Sequence, residues 1–297
     1  MPDFTNCKRL PGYAYNGANG KKLAIEYHGE RYVLKFPPSN HGNPPGCSQP
    51  NSCINEHIAS TLFNMAGLSA QETLLGTYTV GENTQIVCAC KDFTLDGSRL
   101  FDFCSIRNTV LDSPYSGTDT ELEGILDTIQ KQRYVDPEEL LRYFWDMFVM
   151  DAFLGNFDRH NGNWGFLYHD DTQSIKPAPV YDCGSCLLPQ ADEQVMRMVL
   201  ENLEELDARV YRFPTSSIKQ AGRKINYYDY LMAAANPDCN AAVIRMVPRL
   251  HIDAIRTMIH DVPFLNELQK RFYQEYLAAR LEKIMLPAYF QLAEQPS

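Results

Sequence analysis

Along residues 10–36 short apolar and aromatic runs alternate with glycine and asparagine. Residues 23–28 and 32–36, around His28-Gly29-Glu30-Arg31, predict a β-hairpin, and Asn16-Gly17-Ala18-Asn19-Gly20 predicts the turn before it. The stretch 37–51, PPSNHGNPPGCSQPN, has little to pack and predicts a surface loop. Residues 52–66 suit a helix, with Ile54, Ile58, Leu62 and Met65 on one face and Gly67 placed to end it. Two more strands, near 72–80 and 85–90, complete an early sheet with one crossing helix. After Lys91 the pattern turns mainly helical. Its strongest helix is 136–154, with Asp136 as N-cap, Pro137 in the first turn, and Glu138 and Glu139 at the positive end of the dipole. Leu141, Trp145, Phe148 and Ala152 form its expected buried stripe. Over 193–293 the periodicity stays helical, interrupted at Pro214, Pro237, Pro248 and Pro263. The expectation is an α+β chain: a small lobe with an antiparallel sheet and one helix over 1–92, and a larger, mainly helical lobe over 93–297.

Composition narrows the class. With 297 residues, 44% of them hydrophobic, the chain can bury one large core or two modest ones, and 22% charged residues argue against disorder. No internal repeat points to a solenoid or propeller. The net charge of −10 gives no general basic field for nucleic acid or an anionic membrane, although it leaves room for a local basic groove. The N-terminal MPDFTNCKRLPGY lacks an apolar core, and the greasiest stretch, FWDMFVMDAFLG, is broken by Asp146 and Asp151. Neither a secretion signal nor a membrane span is expected, which reads as cytoplasmic, with delivery to a host cell by another route left open. Nine cysteines without a framework suggest a reducing compartment. Cys183-Gly-Ser-Cys186 has the spacing of half a zinc site or a thiol pair. Cys88-Ala-Cys90 and the distant Cys47 and Cys53 do not supply a second half, and buried thiols are the plainer reading.

The chemistry concentrates directly after the long helix, in GNFDRHNGNWGFLY from Gly155 to Tyr168. Asp158 and Asn163 stand five apart, a spacing that lets a loop turn a carboxylate and an amide oxygen into one pocket. Phosphotransferases use this arrangement: the carboxylate orients a hydroxyl, and the amide oxygen helps hold Mg²⁺. Nineteen residues later Val180-Tyr-Asp182-Cys-Gly184 reads as a short strand ending in a second Mg²⁺ ligand, Asp182. Taken singly, Asp158, Asn161, Asn163 and Asp182 are also ordinary turn residues; their joint order favours the chemical reading. In the early lobe, Lys35 sits inside the apolar Tyr-Val-Leu-Lys-Phe and requires an anion, for which a nucleotide phosphate and Glu56, the only acid on the 52–66 helix, both serve. The alternative is a lysine snorkelling from an edge strand. Gly12, Gly17 and Gly20 would admit backbone amides to phosphates, or simply build a hairpin loop.

In this order, glycine loop, strand lysine, helix glutamate, Asp-x-His-x-x-Asn and Asp-x-Gly resemble the HipA-like serine/threonine kinases. FWDMFVMDAFLGNFDRHNGNWGF, PVYDCGSC and QETLLGTY closely resemble the compact branch of that family, the cell-translocating kinase A type. The resemblance covers essentially the whole chain and implies a two-lobed protein-kinase-like fold with ATP and Mg²⁺ in the cleft. It implies Asp158 as catalytic aspartate and Asn163 and Asp182 as metal ligands. Lys35 would hold phosphates and pair with Glu56, Gly17, Ala18, Asn19 and Gly20 would cover the nucleotide, and Cys90, Lys91 and Asp92 would form the hinge facing adenine. His160 would shape the site or be a core histidine; Arg159 would neutralise phosphate or pair with a carboxylate. Two departures from the family pattern stand out. The segment 12–22 contains Tyr13 and Tyr15 but no serine or threonine to autophosphorylate, and the chain begins almost at the glycine loop, without the N-terminal subdomain of full-length HipA toxins.

The leading expectation is an ATP- and Mg²⁺-dependent protein serine/threonine kinase with autophosphorylation, for which Ser216 and Ser217 beside Pro214 are exposed-looking candidates. Its partners would be a protein substrate and an antitoxin-like or host protein. Three rivals stand beside it. A phosphoinositide-type lipid kinase shares the motifs, but the segment after Gly184, SCLLPQADE, is not basic. A toxin-system nucleotide-binding module would bind without transfer, and a thiol oxidoreductase would use Cys183 and Cys186.

Overall fold

The computed structural model describes residues 1–11, 22–38, 49–94, 97–112 and 116–294. Gly12, Gly17, Ala18, Asn19 and Gly20, and most of the expected 37–51 loop, lie outside the described residues. Strands β1 (Lys8–Arg9), β2 (Lys22–Tyr27) and β3 (Glu30–Lys35) come first. Tyr27 faces Glu30 across a two-residue turn in which His28 and Gly29 both take positive φ, 50° and 79°, the turn that matches strand twist. Helix α1 (Ser52–Met65) crosses to β4 (Thr73–Val80) and β5 (Asn83–Lys91), and the five strands pair antiparallel in the order β1-β2-β3-β5-β4. One sheet face closes its own cluster around Phe4, Ile25, Leu34 and Val87. The other rests on α1, where Ile54, Ile58, Leu62 and Phe63 run into the main core. Met65, expected on that face, is 43% exposed; Phe63 takes its place.

The second half begins with β6 (Ser98–Asp102), α2 (Phe103–Val110), α3 (Leu122–Lys131), α4 (Pro137–Leu154), β7 (Gly165–His169) and β8 (Ser174–Pro177), with the three strands forming a small sheet β6-β7-β8. Asp136 caps α4 by accepting from the Glu138 amide at 3.1 Å, and Gly155 ends it in the left-handed region at φ 65°. A Cβ at Gly155 would lie 2.4 Å from the Tyr276 hydroxyl, so glycine answers both backbone and space there. The expected stripe on α4 was too narrow. Every residue from 143 to 154 is buried, because α3, α8 and α10 pack around the helix, while Leu141 is only half-buried.

The rest is α5 (Glu193–Glu201), α6 (Leu203–Tyr211), a small hairpin β9 (Lys219–Gln220) and β10 (Arg223–Lys224), then α7 (Tyr227–Ala233), α8 (Pro237–Met246), α9 (Ile252–Asp261), α10 (Glu267–Arg280) and α11 (Leu286–Ala293). The hairpin replaces the helix expected after Pro214, because Ala221 and Gly222 form a left-handed turn at φ 51° and 77°. Pro237 opens α8 rather than interrupting a helix, as a first-turn proline does. The strand expected at Val180 shrinks to one bridge, Ala70 to Val180. Among the described residues no helix is long and apolar enough to cross a membrane. The fold is α+β, with an antiparallel sheet and one helix followed by a mainly helical body.

Candidate active site

Lys35 ends β3, which lies between β2 and β5, so the edge-strand reading does not hold. Its ammonium sits 2.8 Å from Asp182 Oδ1 and 3.0 Å from Glu56 Oε2, with Glu56 only 1% exposed. Burial alone would pull the Lys35 pKa down, but the two carboxylates outweigh it and hold it well above the ordinary lysine value. Reciprocally, Lys35 holds Asp182 well below the usual carboxylate range. Glu56 Oε1 is buried with no hydrogen-bond partner among the described residues, which leaves one acceptor on the cleft's floor unspent.

Helix α1 is tied to the segment after Asp182. Asn55 donates to the Cys186 carbonyl at 2.8 Å and accepts from the Tyr273 hydroxyl at 2.7 Å, and Asn51 donates to the Ala191 carbonyl at 2.6 Å. Gly184 passes so near that a Cβ would stand 3.2 Å from both Glu56 Oε2 and the Ser52 carbonyl. The placement of Glu56 and that of Asp182 are therefore one structural problem.

On the other wall, the loop leaving α4 carries Asp158 and Asn163. Asn163 donates its amide nitrogen to the Asp158 carbonyl at 2.9 Å, which satisfies the turn and leaves its amide oxygen without a partner among the described residues. Asn161 ties this loop to a distant segment, donating to the Gly117 and Asp119 carbonyls. Arg159 does not face the cleft. It is 2% exposed, pairs with Asp151 at 3.0 Å, and donates to the Asn163 and Tyr181 carbonyls, so it braces the backbone beside both proposed metal ligands from behind. Of the two roles weighed for it, the carboxylate partner is the one the geometry supports. His160 is exposed, its Nδ1 accepting from the Gly162 amide at 3.0 Å, so it is not a core histidine.

Lys35, Glu56, Asp158, Asn163 and Asp182 line one open cleft, together with Lys22. Lys22 was missed from the sequence. The two-residue turn at His28-Gly29 sets it directly opposite Lys35, so the hairpin register carried the signal. The side chains of the expected hinge do not reach the cleft. Cys90 is fully buried beside Cys88, Lys91 pairs with Glu30 at 2.7 Å and Asp92 pairs with Arg31. The Lys91 and Asp92 amides already donate to the Glu72 and Arg31 carbonyls.

Burial raises the Asp158 pKa above the ordinary carboxylate value; the His160 side chain opposes this, Asp182 adds to it, and Arg159 and Lys224 oppose it. A base that works ionised loses activity as pH falls through its pKa. Activity in this cleft is therefore expected to decline on acidification at a pH above that of an ordinary aspartate, while Asp182 stays ionised. A pH profile of kcat/KM checks this; a flat acidic limb down to the usual carboxylate range would contradict it.

Asn163 and Asp182 offer hard oxygen donors, and the described residues contain no cluster of three or more His, Cys, Asp or Glu that would cage a metal. A divalent cation here must complete its shell with water and ligand oxygens, which is how Mg²⁺ binds. Cys183 and Cys186 are both fully buried, and Cys183 Sγ accepts from Arg159 at 3.4 Å. The Cys186 thiol, donating to it, lowers the Cys183 pKa. Sealed from solvent, the pair braces the loop. Ser216 is fully buried, its Oγ accepting from the Ile218 amide, and the Ser217 Oγ is also buried, so neither is the exposed hydroxyl expected.

Comparison with known proteins agrees with this geometry. The family model of the HipA-like C-terminal domain matches residues 14–259. The serine/threonine-protein kinase CtkA of Helicobacter pylori (strain J99) is 45% identical over 295 residues, covering 98% of this chain and 89% of that protein. The crystal structure of the Helicobacter pylori proinflammatory kinase CtkA superposes with a TM-score of 0.92 at 44% identity over 99% of both chains. HipA of Shewanella oneidensis MR-1, from a toxin–antitoxin complex with HipB and operator DNA, shares the fold at a TM-score of 0.56 and 15% identity, over 97% of this chain and 70% of its own. With more than half of its length matched by the family model and a near-full-length relative at this identity, the chain belongs to the HipA-like C-terminal domain family.

Proposed function

We propose that the chain is a protein serine/threonine kinase that moves the γ-phosphoryl group of Mg²⁺-ATP to a protein hydroxyl in the cleft between Lys35 and Asp158. One observation carries this reading: Lys35, Glu56 and Asp182, up to 147 residues apart in sequence, form one ion-paired cluster in the same cleft as Asp158 and Asn163. The 45% identity to a relative named as a serine/threonine-protein kinase supports it. Asn163 and Asp182 would hold Mg²⁺, which when bound draws charge off the transferring phosphoryl group. Lys35 would hold the phosphate oxygens, with Glu56 keeping its ammonium in place. Asp158 orients the acceptor hydroxyl and takes its proton. Arg159 positions the loop that carries both Asp158 and Asn163. His160, exposed and two residues after Asp158, would shape the approach to it. Gly17, Ala18, Asn19 and Gly20 are assigned to the loop over the phosphates through the family resemblance. Cys90, Lys91 and Asp92 set the boundary between the small lobe, 1–92, and the helical lobe, 93–297, and any contact they make with adenine runs through backbone.

The segment after Gly184 favours a protein acceptor over a phosphoinositide: Cys186, Leu187 and Leu188 are buried and tied to α1, leaving no free basic face for a membrane there. The test is label transfer from Mg²⁺-ATP to the protein itself and to a generic acceptor, read also by intact mass, beside Asp158→Ala. We expect the variant to lose about 10²-fold or more, the usual worth of a positioned base. Undiminished labelling in the variant would remove Asp158 from its role, and a folded wild type that binds nucleotide without transfer would favour the binding-module reading.

A further inference from the structure

The segment 213–227 closes around the outer side of the catalytic loop. The Pro214 ring occupies the space beside Gly155, and the Tyr227 hydroxyl donates to the Asn156 carbonyl at 2.5 Å. The Phe213 ring lies 6.0 Å from that of Phe157, the residue before Asp158, and Phe213 is 39% exposed. Within this segment stands the β9–β10 hairpin, Lys-Gln-Ala-Gly-Arg-Lys over 219–224. It is held in place from below, since Thr120 donates to the Ser217 carbonyl at 2.9 Å and Glu121 accepts from the Gly222 amide at 2.8 Å.

Lys219, Arg223 and Lys224 form no ion pair with a described residue, in a chain of net charge −10. Two acids lie beside the hairpin: Glu121, whose carboxylate accepts from the hairpin's own Gly222 amide, and Asp119, which pairs with Arg107 at 3.4 Å. Asn161, on the loop that carries Asp158, donates to the Gly117 and Asp119 carbonyls, and the adjoining Thr120 and Glu121 hold the hairpin, so its positive charge stands beside that loop. Arg223 and Lys224 are exposed.

We infer that the β9–β10 hairpin and the Phe157–Phe213 pair form the acceptor-docking surface, and that this surface selects serine or threonine acceptors flanked by acidic residues, with an apolar neighbour seated on Phe213. This inference rests on the kinase reading above. Charges at such a rim steer encounter and register more than they change the chemical step, so their effect falls on acceptor binding and not on the nucleotide.

The experiment uses serine peptides identical except for Glu, Gln or Lys flanks. Binding is followed by fluorescence anisotropy without nucleotide, and transfer is followed with labelled Mg²⁺-ATP. The Glu-flanked peptide is expected to bind about tenfold more tightly than the Lys-flanked one at low salt, the margin shrinking as salt screens the pairs. Arg223→Glu with Lys224→Glu should reverse the order, Arg223→Gln with Lys224→Gln should flatten it, and KM for ATP should not move. A wild type that prefers or equally accepts the Lys-flanked peptide, or a preference untouched by the Glu pair, overturns the inference. Acid-selective binding without transfer to any acceptor overturns the kinase reading alone; transfer without acid preference overturns only the substrate class; neither binding nor transfer overturns both.

Discussion

Replacing Asp182 with asparagine should lower phosphoryl transfer by about 10³-fold or more while the protein stays folded. Asparagine keeps the shape and one acceptor oxygen but removes the charge, and preorganised charge is what this chemistry depends on. Two consequences meet at one atom, because Asp182 is both the proposed metal ligand and the partner of Lys35 at 2.8 Å. In the variant Lys35 keeps Glu56 at its other side, so the lysine is not left without an anion. Single-turnover transfer across a Mg²⁺ titration checks this, with a thermal melt alongside. Wild-type turnover at ordinary Mg²⁺ would end the assignment of Asp182 as metal ligand. The stability difference has a sign as well. Lys35 lowers the folded-state pKa of Asp182, so its contribution is fully present above the unfolded pKa and is lost as pH falls through the lower folded value. The gap in stability between wild type and variant is therefore expected at neutral pH and closes on strong acidification.

Arg159→Met should destabilise the fold by about 3–5 kcal/mol, the usual cost of removing one member of a buried ion pair. Asp151 is 1% exposed, and burial already pushes its pKa up against the opposing effect of Arg159. Without the guanidinium that carboxylate either stays charged in an apolar surround or takes a proton. The Asn163 and Tyr181 carbonyls lose their donor at the same time, and both stand next to groups of the cleft. Chemical denaturation gives the stability, and the double variant Arg159→Met with Asp151→Leu separates the causes. Recovery of most of the stability but not of transfer is expected, since the double change removes the buried charge without restoring the brace. A single variant as stable as wild type would show that Arg159 carries no such role.

The chain announced its hairpin, its 52–66 helix and the capped helix beginning at Pro137 because each rests on local rules: a glycine-bearing turn between apolar runs, one apolar face, and a cap with proline behind it. It announced the order Lys35, Glu56, Asp158, Asn163, Asp182 for the same reason, since a charge inside an apolar strand and acids after a buried helix need an explanation wherever they fold. Local pattern failed where packing from distant segments took over. The stripe on α4 widened to a full wrap because α8 and α10 come from more than eighty residues further along. Ser216 looked exposed beside a proline and is buried, because its segment folds back on the loop at Gly155.

What the sequence by itself determined is thus the α+β class and the identity of the charged groups, whereas the register that sets Lys22 against Lys35 came from the structure. Tertiary structure alone decided which of those groups share the cleft. It turned Arg159 inward to Asp151, sent the side chains of Lys91 and Asp92 to other partners, and brought Phe213 against Phe157, the residue before Asp158. The physical reason is that periodicity reports which side of an element is buried, whereas the partner of a buried charge is chosen by whichever remote segment can satisfy it.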